Sequence, residues 1–295
     1  MNEMKEMKDY SISICGYGYV GSAMGSLCEK NNVEFNVCDI QEKNGNFNYF
    51  NNISDLIHYA ESITNTHYVV IAVPTPSNSI GECDVSIIKD ILVKLDLNTN
   101  KETYVIIKST IVPGTCKLFN QEFPRLNIVF FPEFLTEKNY LDDIYNAKFI
   151  LLGIPPKFDM VKYRNVLKVI RLFYKHNSQI DILMRTYEEC ELFKYTVNNF
   201  LATKIVFFNE IHELCEKMNV DYQNLKSLFE LEPRIGSYGL EVPGKGNNFY
   251  GFSLSCLPKE VKSMVKLQEK LKLSSELISC IDKRNKYFNN KQVKK

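Results

Sequence analysis

GYGYVG, Gly16 to Gly21, sits between an apolar run ending at Cys15 and a segment with helical spacing. In a G-x-G-x-x-G turn the first glycine permits a tight turn after a strand, and the second lets the backbone approach a pyrophosphate. The third lets the following helix pack closely on the strand. The helix expected after the turn offers its N-terminal amides to the phosphates. Asp39 follows at the expected interval, at the end of the second apolar run. A carboxylate there accepts hydrogen bonds from ribose hydroxyls and repels a 2′-phosphate, so the pattern favours NAD over NADP. The cofactor-binding candidates from this stretch are Gly16, Gly18, Tyr19, Val20, Gly21 and Asp39.

Outward from the turn, short apolar runs alternate with amphipathic segments, the pattern of parallel strands joined by crossover helices. Ser11–Cys15, Val33–Cys38, Tyr68–Val73, Tyr104–Ile107, Ile128–Phe131 and Phe149–Gly153 read as buried strands. Val20–Lys30 and Asp84–Leu95 read as helices, with Asp84 as an N-cap. After Thr186 the texture changes. YEECELFKYTVNNFLATKIVFFNEIHELCEKM runs without Gly or Pro and predicts one long helix. Its apolar residues Leu192, Tyr195, Phe200, Ile205, Phe208, Ile211 and Leu214 cover more than one stripe, which points to several packing partners or a second subunit. Further helices are expected at Tyr222–Glu230, Pro258–Leu271 and Ser274–Phe288. The predicted fold is α/β: a doubly wound Rossmann-type parallel sheet over residues 1–184, then an all-helical domain with one long central helix over 185–295.

Composition narrows the function classes. Hydrophobic residues make up 45% and charged residues 24%, and the net charge of +1 offers no reason for a nucleic-acid or anionic-membrane partner. The nine cysteines include no CxxC pair, and MNEMKEMKDY has no apolar run of the signal-peptide kind, so the expected compartment is reducing and cytoplasmic. No apolar stretch approaches the roughly 20 residues of a membrane span. No His/Cys cluster has zinc spacing, and no metal is expected. The four histidines lie apart and carry no assigned role.

VPTP at Val73–Pro76 and KSTIVPGT at Lys108–Thr115 fall beyond strand ends, where open parallel sheets bind ligands. Pro74, Thr75 and Thr110 are therefore further cofactor-binding candidates. Together with FPEFLTE at Phe131–Glu137, ELFKYTVNNFLATK at Glu191–Lys204, EPRIG at Glu232–Gly236 and CLPKE at Cys256–Glu260, the chain resembles the UDP-glucose/GDP-mannose 6-dehydrogenase family. The resemblance spans nearly the whole chain.

It implies NAD-dependent oxidation of the C6 hydroxyl of a nucleotide sugar to a carboxylate, with UDP-glucose the default substrate. Two hydride transfers are needed, and a thiolate retains the aldehyde as a thiohemiacetal that is oxidised to a thioester. Carried over, Cys256 is the nucleophile, and Lys194 and Asn198, one turn apart on the long helix, stabilise the oxyanion. Thr110 and Glu133 position or activate water, with Glu133 the base for thioester hydrolysis. Glu260 completes the catalytic set. Phe134, Leu135, Glu137, Arg234, Gly251 and Lys259 join Lys194 and Asn198 as substrate contacts, Glu137 also lying against the cofactor. The arginine is expected from the partner subunit of a homodimer formed through the long helix.

Two departures stand out. The family usually has two glycines before the serine that precedes its cysteine, where this chain has Ser253 and Leu254. The aspartate that usually follows the lysine is Glu260. Family members also continue into a third α/β domain that holds much of the nucleotide, whereas this sequence ends at Lys295. The alternatives are a degenerate NAD-binding or dimer-forming scaffold, or a related dehydrogenase acting on another nucleotide sugar or a small hydroxy acid.

Overall fold

The computed structural model describes residues 8–78, 80–136, 138–244, 249–253 and 256–291. Glu137 and Leu254, both singled out above, lie outside the described residues. The chain divides into two compact units, Met1–Thr75 with Asp84–Lys194, and Pro76–Cys83 with Tyr195–Lys295.

The first unit alternates strands and helices: β1 (Ser11–Cys15), α1 (Tyr19–Lys30), β2 (Asn36–Cys38), β3 (Asn48–Phe50), α2 (Ile53–Ile63) and β4 (Thr66–Ile71). Then come α3 (Ser86–Asn98), β5 (Glu102–Ile107), α4 (Thr115–Glu122), β6 (Asn127–Phe130), α5 (Tyr140–Tyr145), β7 (Phe149–Ile154), α6 (Met160–Phe173) and β8 (Asp181–Thr186). The eight strands form one sheet in the order β3-β2-β1-β4-β5-β6-β7-β8. All pairings are parallel except β6 with β7. Strand order reverses beside β1, which puts a ligand crevice beyond the carboxyl ends of β1 and β4.

The continuous apolar runs have a simple cause: alternate residues feed two cores, one on each face. Tyr68 and Val70 pack with Ile12, Ile14, Met24, Leu27 and Val169, while Val69 and Ile71 pack with Leu56, Leu92 and Phe119. With both faces covered, neither carries the polar alternation of a half-exposed sheet.

Several boundaries differ from expectation. β2 begins at Asn36, the buried Val33 and Phe35 lying before it. β3 and β8 carried no strong signal; β8 has no fully buried residue and owes its existence to its register with β7. α3 starts at Ser86, and the Asp84 carboxylate accepts the Ser86 N–H (2.8 Å) from just outside the helix, whose N-cap is Val85.

The long helix, α7, spans Tyr187–Met218 as its unbroken periodicity implied. The first unit ends within it, at Lys194. There Glu191, fully buried, caps α4 from a distance: its two oxygens accept the N–H groups of Gly114 (2.6 Å) and Cys116 (2.8 Å). Burial pushes this carboxyl up to about 7, against the pull of the two amides. The folded state then keeps a proton that the unfolded chain has lost, so stability falls as pH rises from about 4.5 to about 7 and is level above. We expect this group to remove up to about 3 kcal/mol over that window, and Glu191→Gln to remove the slope. Urea denaturation of both proteins from pH 4.5 to 8 checks this; parallel slopes would count against it.

The second unit contains the rest of α7, α8 (Tyr222–Leu231), α9 (Cys256–Lys270) and α10 (Glu276–Asn289). Its core joins Ala202, Val206 and Phe208 of α7 to Tyr222, Leu257, Val261, Ile281 and Phe288. Of the apolar residues expected to pack along α7, Tyr195 and Phe208 are buried, but Leu192, Phe200 and Leu214 are exposed. Among the described residues, no helix is long and apolar enough to cross a membrane.

Candidate active site

In the first unit the glycine turn has the geometry its spacing implied. Gly16 adopts φ +85°, and a Cβ there would lie 2.7 Å from the Ala72 carbonyl oxygen. Its N–H donates to Cys38 O (2.8 Å). A Cβ on Gly21 would overlap the Gly16 carbonyl oxygen and lie 2.9 Å from its carbon. Gly18 is the N-cap of α1, with open space where its side chain would be, and no side chain caps the helix. The N-terminus of α1, the end of a helix whose dipole favours negative charge, thus opens at the glycine turn without a side-chain cap. These features fit the pyrophosphate of a dinucleotide.

Asp39 follows β2 and is half-exposed. Its Oδ2 accepts the Tyr17 N–H (2.6 Å) and its Oδ1 the Gln41 N–H (2.9 Å). Each carboxylate oxygen can accept more than one bond, so Asp39 ties down the glycine turn and still has acceptor capacity for ribose hydroxyls. Beyond β4 and β5, Thr75 Oγ1 donates to Thr110 O (2.7 Å) and Ser109 Oγ to Val73 O (2.7 Å). The VPTP and KSTIVPGT loops are thereby stapled together, with Thr75 and Thr110 both buried and Pro74 between their anchors.

Glu133 follows β6 and is buried against Lys194 of α7. The Lys194 ammonium donates to Glu133 O (2.6 Å) and lies 3.1 Å from each carboxylate oxygen. Glu133 also accepts the Leu135 N–H (3.1 Å), and Phe134 packs on Phe149 and Phe193. A carboxylate fixed this way can accept a proton from a reacting group, and its partner ammonium can neutralise developing negative charge.

In the second unit Cys256 is the first residue of α9, half-buried, with Glu260 one turn on. Glu260 is fully buried and accepts the Asn198 Nδ2–H (2.8 Å), which joins α7 to α9. The longer glutamate thus still reaches an amide partner. The loop before the cysteine is anchored by asparagines that the motif reading passed over. Asn209 Oδ1 accepts the Gly251 N–H (3.0 Å), and Asn285 bonds both the N–H (2.7 Å) and the carbonyl (2.8 Å) of Phe252. Gly251 has φ +77°, and a Cβ there would overlap Asn285 Oδ1. Arg234 is exposed, its guanidinium held by Glu232 in the same loop (2.7 and 3.0 Å). Lys204 of α7 anchors that loop through Ile235 O (2.6 Å) and Gly236 O (2.8 Å). Lys259, three residues after Cys256, is half-buried.

Comparison with known proteins fits both units. Residues 49–171 match the NAD binding domain of the UDP-glucose/GDP-mannose dehydrogenase family, and residues 188–287 match that family's central domain. A UDP-glucose 6-dehydrogenase of Campylobacter jejuni is 31% identical over 274 residues, covering 86% of this chain and 67% of the relative. One of Rickettsia bellii is 32% identical over 232 residues, covering 77% of this chain and 51% of the relative. The chain spans about half the length of most of the curated relatives it matches. A UDP-glucose dehydrogenase structure from Pyrobaculum islandicum aligns over 97% of this chain and 69% of that one, with TM-score 0.75 at 21% identity.

Proposed function

The chain belongs to the UDP-glucose/GDP-mannose dehydrogenase family, and from that premise we propose that it oxidises the C6 hydroxyl of UDP-glucose to a carboxylate. The observation that carries this reading is the buried Lys194–Glu133 pair, the ammonium lying 3.1 Å from each carboxylate oxygen. Lys194 and Asn198 lie one turn apart on α7, and this reading has both act on the developing oxyanion.

NAD supplies a hydride acceptor for each of the two oxidations. Cys256 Sγ attacks the C6 aldehyde, forming a C–S bond, while Lys194 and Asn198 balance the charge on its oxygen. Loss of the second hydride leaves a thioester. Glu133 then takes a proton from a water molecule whose oxygen bonds to the carbonyl carbon; the C–S bond breaks and the thiol is regenerated. Gly16, Gly18 and Gly21, the first amides of α1, and Asp39 hold the dinucleotide, with Pro74, Thr75 and Thr110 lining the crevice. Glu260 orients Asn198, and Gly251, Phe134, Leu135, Lys259 and Arg234 shape the sugar site. The same reading makes the protein a cytoplasmic homodimer joined through α7, whose Phe200 and Leu214 are 65% and 53% exposed.

Incubation with NAD and UDP-glucose, with NADH followed by absorbance and the sugar acid quantified, tests this. About two NADH per acid are expected. NAD binding without NADH formation would sink UDP-glucose oxidation by this chain.

A further inference from the structure

Two cysteines that take no part in the chemistry above flank the cofactor turn. Cys15 ends β1 and Cys38 ends β2, and the parallel register pairs one directly with the other. Both belong to the face of the sheet that packs on Ile53, Leu56 and Ile57 of α2. Cys15 is 1% exposed, whereas Cys38 is half-buried and the more accessible of the two. Paired residues of neighbouring strands lie about 4.8 Å apart, within the roughly 4.4–6.8 Å between Cα atoms that a disulfide spans. The thiols already meet: Cys15 donates to the Cys38 sulfur, which holds the Cys38 thiol below the ordinary range and pushes that of Cys15 up. Burial, Asp39 and Asp55 oppose the fall at Cys38, and Lys94 adds to it.

The residues that follow these cysteines are the ones that hold the dinucleotide. Gly16 comes directly after Cys15, and its N–H donates to Cys38 O (2.8 Å). Asp39 comes directly after Cys38 and accepts the Tyr17 N–H (2.6 Å). A disulfide needs its Cβ atoms about 3.8 Å apart, closer than the roughly 4.8 Å at which a ladder sets its strands. Closing the bond therefore draws the two strand ends together by up to about 1 Å, and Gly16 and Asp39 move with them.

We propose that Cys15 and Cys38 form a reversible disulfide under peroxide and that this bond weakens NAD binding, so that the cofactor site senses oxidant. The Cys38 thiolate attacks one oxygen of hydrogen peroxide; the O–O bond breaks, Cys38 becomes a sulfenic acid, and the hydroxide that leaves is protonated to water. The Cys15 sulfur then attacks the Cys38 sulfur. The S–S bond forms as the S–O bond breaks, and the departing hydroxide takes the Cys15 proton. Two thiols give up two electrons in all, and one peroxide becomes two waters. A dithiol reductant reverses the step by thiol exchange, its own thiols ending as a disulfide.

The test treats the full chain with hydrogen peroxide, alkylates the remaining thiols and maps the unreduced peptides by mass spectrometry. A linked Cys15–Cys38 peptide is expected, and dithiothreitol should abolish it. Calorimetric titration should show NAD affinity falling by about 10- to 100-fold on oxidation and returning on reduction. By linkage, saturating NAD should shift the dithiol/disulfide equilibrium of the pair in a glutathione buffer toward the dithiol by the same factor. In Cys38→Ala the effect of peroxide on NAD affinity should vanish, although Cys256 and the other thiols remain. An oxidised wild type without the linked peptide, a linked protein that binds NAD as the reduced one does, or a peroxide effect that persists in Cys38→Ala overturns the proposal. The peptide map and the wild-type titration need no variant, so they decide the matter even if Cys38→Ala does not fold. Neither readout involves sugar oxidation, which keeps a failure here distinct from a failure of the UDP-glucose reading.

Discussion

Cys256→Ala is expected to reduce sugar-acid formation by on the order of 10³-fold or more, with NAD affinity unchanged within about twofold. The expectation comes from placement, because a free thiol as such is unremarkable here: Cys28, Cys116, Cys190 and Cys215 are buried as ordinary packing residues. Cys256 instead opens α9 at half-burial, in register with the buried Glu260 that holds Asn198. Alanine suits a helix start and leaves the buried Leu257 and Val261 of the same helix untouched, so the fold should survive. Serine would be a poorer choice, since its hydroxyl remains a nucleophile. NADH release, acid yield and mass spectrometry for a sugar bound to the protein give the readout. Acid formation within about tenfold of wild type would remove the thioester from the mechanism.

Gly21→Val is expected to lose NAD binding by at least about 100-fold and to destabilise the first unit by roughly 3 kcal/mol or more. The Cβ would overlap the Gly16 carbonyl oxygen. That backbone has little room to retreat, since Gly16 is at φ +85° and its N–H is held by Cys38 O. Gly18→Ala is the informative contrast. Nothing in the protein meets a Cβ there, so stability should hold while the methyl obstructs a pyrophosphate at the α1 N-terminus. Thermal denaturation separates the two, and calorimetric titration with NAD measures the loss. A Gly21→Val protein that binds NAD as the wild type does would contradict this use of the turn.

Much of the fold was legible because its signals are local. The apolar run Ser11–Cys15, the glycines of the turn and the helical spacing after them each act within a few residues, and a Cβ clash at Gly21 follows from the same short range. The periodicity of Tyr187–Met218, free of Gly and Pro, likewise reads directly as helix. β3 and β8 were missed for the converse reason. A three-residue strand has too little pattern to register, and an edge strand such as β8 lacks a fully buried face, so each forms only when a neighbour offers its hydrogen-bonding edge.

The candidate site divides in the same way. Residue types and motif order nominated Lys194, Glu133, Asn198, Glu260 and Cys256, but not how they are paired. Lys194 meets Glu133 across 61 positions of sequence and Asn198 meets Glu260 across 62. Lys108 was simply part of a loop motif, yet its ammonium is buried on the Phe131 ring and donates to the Phe131 carbonyl. Glu191 read as one more polar helix residue, yet it caps α4. The central strands, the glycine turn and the long helix could be read from the residues alone, since periodicity and glycine sterics act between near neighbours. Which charges are buried and with whom emerges only from the folded chain, because desolvation and pairing depend on groups that lie far apart in sequence.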